Sequence, residues 1–203
     1  MGTSRTRFGP SREEIWRQLS TAIGARYVEG GTWTGDRVQA THGQWTVTLD
    51  SYVVVTGQIV IPYTRMRAPY VNPAGFRFTV YRTGAFSDIA KWLGMQDVQV
   101  GHEPFDEDFI VKGTDEAKVR DLFSNARIRE LIAVQREVHL TVKDDEGWFG
   151  PSFPDGVDEL TFHAVGVIKD LERLKQLYEL FAETLEQLCR IGAAYEQDPK
   201  VAV

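Results

Sequence analysis

The segment Pro62-Tyr-Thr-Arg-Met-Arg-Ala-Pro-Tyr-Val-Asn-Pro73 carries the residues best suited to chemistry in this chain: two guanidinium forks, Arg65 and Arg67, flanked by the phenols of Tyr63 and Tyr70. The chemistry they suit is recognition. A planar guanidinium grips a phosphate or carboxylate at two points and stacks on rings, which a Lys ammonium cannot do. Three prolines remove amide donors and disfavour both helix and central strand, so the segment between Ile61 and Phe76 reads as a stiff loop that would order little further on binding. The ligand could be an anionic small molecule, a lipid headgroup or an acidic partner protein. Arg77 and Tyr81 would join the site if the strand carrying them lies beside the loop. Equally, Arg65 and Arg67 could pair with the acidic second half of the chain and fix the two halves together.

Charge is distributed in a way that sharpens both readings. Residues 1–82 hold ten Arg, no Lys and five acids, a net of +5, whereas residues 83–203 hold 13 basic and 24 acidic groups, a net of −11. A general nucleic-acid binder would present a basic surface to release counterions, and a whole-chain charge of −6 argues against one.

The other constellations point to bland roles. Glu103, Asp106, Glu107 and Asp108 have no calcium-hand spacing and read as a solvated acidic turn. The four histidines, His42, His102, His139 and His163, form no HExxH and no pair at ligand spacing, so no metal site is expected, although His139 and His163 would be neighbours if their strands pair. No GxSxG, P-loop or GxGxxG occurs, and Cys189 falls on an apolar helix stripe, so no catalytic residue and no cofactor are expected. Trp148, Phe149 and Phe153 lie in Gly147-Trp-Phe-Gly-Pro-Ser-Phe-Pro154, where clustered rings suit a partner-binding lip or a cap folded over the core.

These groups are positioned by an α+β pattern. Ser11 with Glu14, an Ile15, Leu19, Ile23 stripe and Gly24 predict a helix over 12–23. From Ala25 the apolar period changes to two and Gly-containing turns punctuate short antiparallel strands. In 46–56, Val47, Leu49, Val53 and Val55 are expected on the buried face, opposite Asp50 and Tyr52; in 76–82, Phe76, Phe78 and Val80 face away from Arg77 and Tyr81. A short helix is expected at 87–93. Residues 101–203 read strand, helix, helix, strand, strand, then a long amphipathic helix whose stripe runs from Leu171 to Gly192 and suits packing on a sheet. The expected architecture is an antiparallel sheet in each of two parts, 1–100 and 101–203, with the final helix on the second sheet. A single cysteine excludes an internal disulfide, and no apolar run approaches bilayer length, which together point to the cytoplasm.

Three stretches, Tyr63-Thr-Arg-Met-Arg-Ala-Pro-Tyr70, Phe105-Asp-Glu-Asp-Phe-Ile-Val-Lys-Gly113 and Lys143-Asp-Asp-Glu-Gly-Trp-Phe-Gly-Pro-Ser-Phe153, together resemble a family of soluble bacterial proteins of about this length that carry a domain of unknown function. The resemblance implies a bacterial, non-secreted protein and supplies no catalytic residues. The sequence therefore favours a non-enzymatic binding or scaffold protein that recognises an anionic group through 63–70. Two other classes stay open. One is an enzyme on a phosphorylated or carboxylated substrate, with Arg65 and Arg67 as clamps and Asp50 or a histidine as base; the other is a homo-oligomeric structural protein, such as a homodimer.

Overall fold

The computed structural model describes residues 9–31, 35–84, 95–144 and 153–201. The helix expected at 87–93, and with it Trp148 and Phe149, lies outside the described residues.

Helix α1 (Arg12–Ile23) begins and ends as its sequence dictates. The Ser11 hydroxyl accepts a hydrogen bond from the Glu14 amide at 3.1 Å, and Gly24 closes the helix in the left-handed region at φ 66°. Ile15, Trp16 and Leu19 form the buried stripe. An alanine at position 24 would carry its Cβ into a conformation that L residues avoid, so Gly24→Ala is expected to cost about 1–2 kcal/mol. Thermal unfolding checks this, with a drop of a few degrees expected for a chain of this length.

Nine strands form one antiparallel sheet: β1 (Arg26–Val28), β2 (Arg37–His42), β3 (Trp45–Thr56), β4 (Ile59–Val71), β5 (Phe78–Arg82), β6 (Gln96–Asp97), β7 (Phe109–Gly113), β8 (His139–Lys143) and β9 (Val157–Val165). Their spatial order is β1-β2-β3-β4-β9-β8-β5-β7-β6. The sequence pattern predicts a sheet in each part; instead, strands from both parts share one. The seam is the long β4–β9 pairing, from Thr64 opposite Ala164 to Val71 opposite Val157, and β5 is inserted between β8 and β7.

The largest departure from the sequence reading is β4 itself. The expected loop is a strand of 13 residues. Proline is tolerated because each of the two within it lies where β4 has one neighbour in register. Pro62 pairs with Val53 of β3 before the β9 ladder begins at Thr64, and Pro69 pairs with Glu159 of β9 after the β3 ladder has ended at Arg67. A missing amide costs a ladder bond only when a strand stands on that side.

One sheet face is apolar. Leu49, Met66, Phe162, Leu140, Val80 and Val111 point to it, and with Trp16 of α1 and the helices that follow they build a single core. Those helices are α3 (Glu116–Phe123), α4 (Ala126–Ala133) and α5 (Leu171–Arg190). α5 buries Leu174, Leu177, Leu180, Phe181, Leu185 and Leu188. It also reaches the early strands: Tyr178 donates to the Thr41 carbonyl at 3.3 Å, and His42 Nε2 meets Glu186 at 2.9 Å. α3 approaches the sheet closely at Gly113, where a side chain would collide with Val119.

The acidic run is not an open turn but a short helix, α2 (Glu103–Asp108), in which Asp106 accepts bonds from the amides of Val100, Gly101 and His102. Among the described residues no helix is long and apolar enough to cross a membrane.

Alternation along β3 holds only halfway. Val47 and Leu49 are buried as expected, but Val53 and Val55 are 59 % and 64 % exposed. The reason is length. β2 covers β3 only up to Leu49 and β9 covers β4 only from Thr64, so residues 50–63 continue as a two-stranded ribbon beyond both neighbours.

Candidate functional site

The other sheet face is polar across its centre. Alternation puts Thr48, Asp50 and Tyr52 of β3 on it, beside Tyr63, Arg65 and Arg67 of β4, then Glu159, Thr161 and His163 of β9, His139 and Thr141 of β8, and Thr79 of β5. Many of these are deeply buried. Thr48, Thr79 and Thr161 have no exposure, and Arg67 retains 8 %.

Asp50 stands directly opposite Arg65 in the β3–β4 register, which explains the central ion pair. Arg65 donates from Nε to Oδ1 at 2.9 Å and from Nη2 to Oδ2 at 2.7 Å, a two-point grip. Arg67, one pleat further along the same face, donates to Oδ2 at 2.9 Å. Glu159 of β9, buried on the same face, supplies a second carboxylate, so the two guanidiniums are matched by two acids. The Arg65 guanidinium also lies 5.3 Å from the Tyr52 ring centre, and Tyr52 stacks on Tyr63 at 5.3 Å. Such stacking suits Arg and adds a modest attraction.

Histidines complete the arrangement. The Tyr52 hydroxyl lies 2.9 Å from His163 Nδ1, and the Thr161 hydroxyl 3.1 Å from Nε2, so both ring nitrogens are engaged. Burial, reinforced by Lys143, pulls the His163 pKa down to about 3; burial lowers that of His139 as well. The two rings lie 6.2 Å apart, in agreement with the neighbourhood expected if their strands pair. Burial raises the Tyr52 phenol.

The structure brings together only some of the residues singled out by sequence. Tyr63, Arg65 and Arg67 share the polar face. Tyr70 has the opposite parity and is fully buried in the core, where burial pushes its phenol upward. Arg77 is elsewhere: it pairs with Asp144 at 2.9 Å and Asp158 at 3.6 Å, and Asp158 lies five residues along β9 from the His163 that neighbours Arg65. Phe153 is half-buried in the segment leading into β9. The carboxylate that Arg65 and Arg67 share comes from β3; Arg77 and Arg82 reach acids of the later part of the chain, Arg82 meeting Asp108 at 3.7 Å.

Tyr52, as the ring under Arg65 and the partner of His163, is not singled out by sequence. Its pairing with Tyr63 would signal it, but only once 59–71 is read as a strand. Among the described residues no group of three or more His, Cys, Asp or Glu side chains could hold a metal ion.

No family model matches the chain, and no curated protein matches it. Among solved structures, the crystal structure of the mycobacterial trehalose monomycolate transport factor A, TtfA, is similar in fold, with a TM-score of 0.54 and 8 % identity over 89 % of this chain and 95 % of that one. At that identity the likeness concerns the fold alone.

Proposed function

We propose that the protein is a non-enzymatic binding or scaffold protein that recognises an anionic group, on a small molecule, a lipid headgroup or a partner protein, through Arg65 with Tyr63 and Tyr52 beside it. The observation that carries this reading is the state of the Arg65 guanidinium. One edge is gripped by Asp50, one face rests near the Tyr52 ring, and its side chain keeps 20 % exposure at the root of the projecting ribbon. A donor held this way meets an anion with little further loss of freedom. Arg67, whose side chain is 9 % exposed, acts in this reading as a positioning residue that holds the shared carboxylate.

The same geometry weighs against the enzyme. Asp50 accepts from two guanidiniums, and His163 is kept neutral with both ring nitrogens occupied, so neither is well placed to take a proton from a substrate.

Native mass spectrometry of the purified protein, followed by calorimetric titration with inorganic phosphate and with vesicles containing phosphatidylglycerol, tests the proposal. Arg65→Ala is expected to remove the bound mass or weaken anion binding by about 10-fold or more, the worth of a charge-assisted pair. Arg65→Lys should recover part of the loss. Unchanged anion affinity in Arg65→Ala would overturn the reading.

A further inference from the structure

The ribbon that extends past its neighbours has a composition unlike the rest of the chain. Residues 51–64 contain no Asp, Glu, Lys, Arg or His, in a protein that is 26 % charged. Both faces of its tip are apolar. Val53, Val55 and Val60 are exposed on one side, Val54 and Ile59 on the other. The hairpin is pinned by a two-residue turn whose first central residue, Gly57, has φ 61°, the position where a type II′ turn takes glycine.

Its two edges differ. On the β4 side, Pro62 removes a donor, and the Gly166 amide caps the Pro62 carbonyl at 2.7 Å. The outer edge of β3 at residues 52–56 has no such guard: it carries no proline and no charge, and no strand pairs with it among the described residues. Native proteins ordinarily blunt an exposed apolar edge with Lys, Pro or a bulge. A polar turn at Thr56, Gly57 and Gln58 leads the ribbon, and unpaired backbone on its edge would be costly in hydrocarbon, so a lipid interior suits it less than another strand.

We propose that the free edge of β3 pairs with the same edge of a second copy of this chain, antiparallel about a two-fold axis at Val54. Val53 of one copy then faces Val55 of the other, and Tyr52 faces Thr56. Charge selects this occupant. Chains of net charge −6 repel one another, and a segment without charge is where two copies can approach without opposing like charges. Because the β4 edge is guarded, the contact uses up the one open edge of each ribbon and closes as a dimer, where two open edges would propagate a fibre. The paired strands bury less than the roughly 800 Å² per partner of a standard interface, so the dimer is reversible.

Sedimentation of the full chain between about 1 µM and about 1 mM, the range over which such weak contacts titrate, tests this directly. The wild type is expected to pass from monomer to dimer. Val54→Lys and Val54→Asp each put like charges face to face across the axis and are expected to stay monomeric; an equimolar mixture of the two should recover the dimer. Amides of 52–56 in the wild type should gain hydrogen-exchange protection as concentration rises, which needs no variant. A wild type that remains monomeric, a variant that dimerises like the wild type, or a mixture that fails to associate would overturn the proposal.

Discussion

Asp50→Ala is expected to destabilise the protein by about 3–5 kcal/mol, the usual cost of removing one partner from a buried ion pair. The carboxylate is 13 % exposed, and the Arg65 and Arg67 side chains that it holds are 20 % and 9 % exposed, so water offers these groups little compensation. In a chain of this size the loss corresponds to a fall in Tm of roughly 10 °C. Asp50→Asn, which keeps the shape but not the charge, should lie between wild type and Asp50→Ala. Arg67→Met is also expected to destabilise, but combined with Asp50→Ala it should cost less than the sum of the two, with a coupling of about 1 kcal/mol or more, since both changes break the same contact. Strict additivity in urea titrations would show that the triad is no energetic unit. The cycle also separates support from recognition: a change at Arg67 should move stability, whereas Arg65→Lys should move anion affinity.

Stability is expected to fall as pH drops from about 6.5 toward 3. His163 has a folded pKa of about 3, because burial disfavours the imidazolium, while in the unfolded chain it titrates near its ordinary value. Between those values the unfolded state binds the extra proton and the folded state does not, so acid favours unfolding. The contribution is fully present above pH 6.5 and disappears as pH falls through the folded pKa. Each pH unit that separates the folded from the unfolded value is worth about 1.4 kcal/mol, so this one group makes several kcal/mol of stability pH-dependent. His139, lowered in the same direction by burial, adds to the slope. Urea midpoints measured from pH 7 to pH 4 check this, and His163→Gln should flatten the profile while keeping a group that can bond Tyr52 and Thr161. An unchanged slope in His163→Gln would place the acid sensitivity elsewhere.

The polar face and the ribbon are two uses of one long hairpin. At its root, cross-strand register sets Asp50 against Arg65 and Tyr52 against Tyr63, where β9 adds His163 on the far side. Toward its tip the same alternation continues with no neighbouring strand, so residues patterned as a buried face are exposed. A charged anchor at the base and an uncharged edge at the tip are thus positioned by the same register, and a slip of one residue would move Arg65 to the apolar face.

Helical parts of the fold are legible in the sequence because their determinants are local. Ser11, Gly24 and the α5 stripe act within a few residues of themselves, so capping and periodicity locate these helices. Strand alternation likewise separates Phe78 and Val80 from Thr79 and Tyr81, and anticipates His139 beside His163. What sequence could not decide is which strand stands next to which. Prolines at 62 and 69 read as loop because their cost depends on whether a neighbour occupies that side, and only the register with β3 and β9 answers this. Tyr70 looks like a partner of Tyr63 until strand parity puts it in the core. The residue types themselves determined an α+β chain with guanidinium and phenol groups near its middle. Their convergence on Asp50 and His163, and the exposure of Val53 to Val55, were decided by pairings between residues up to about a hundred positions apart, which no local rule encodes.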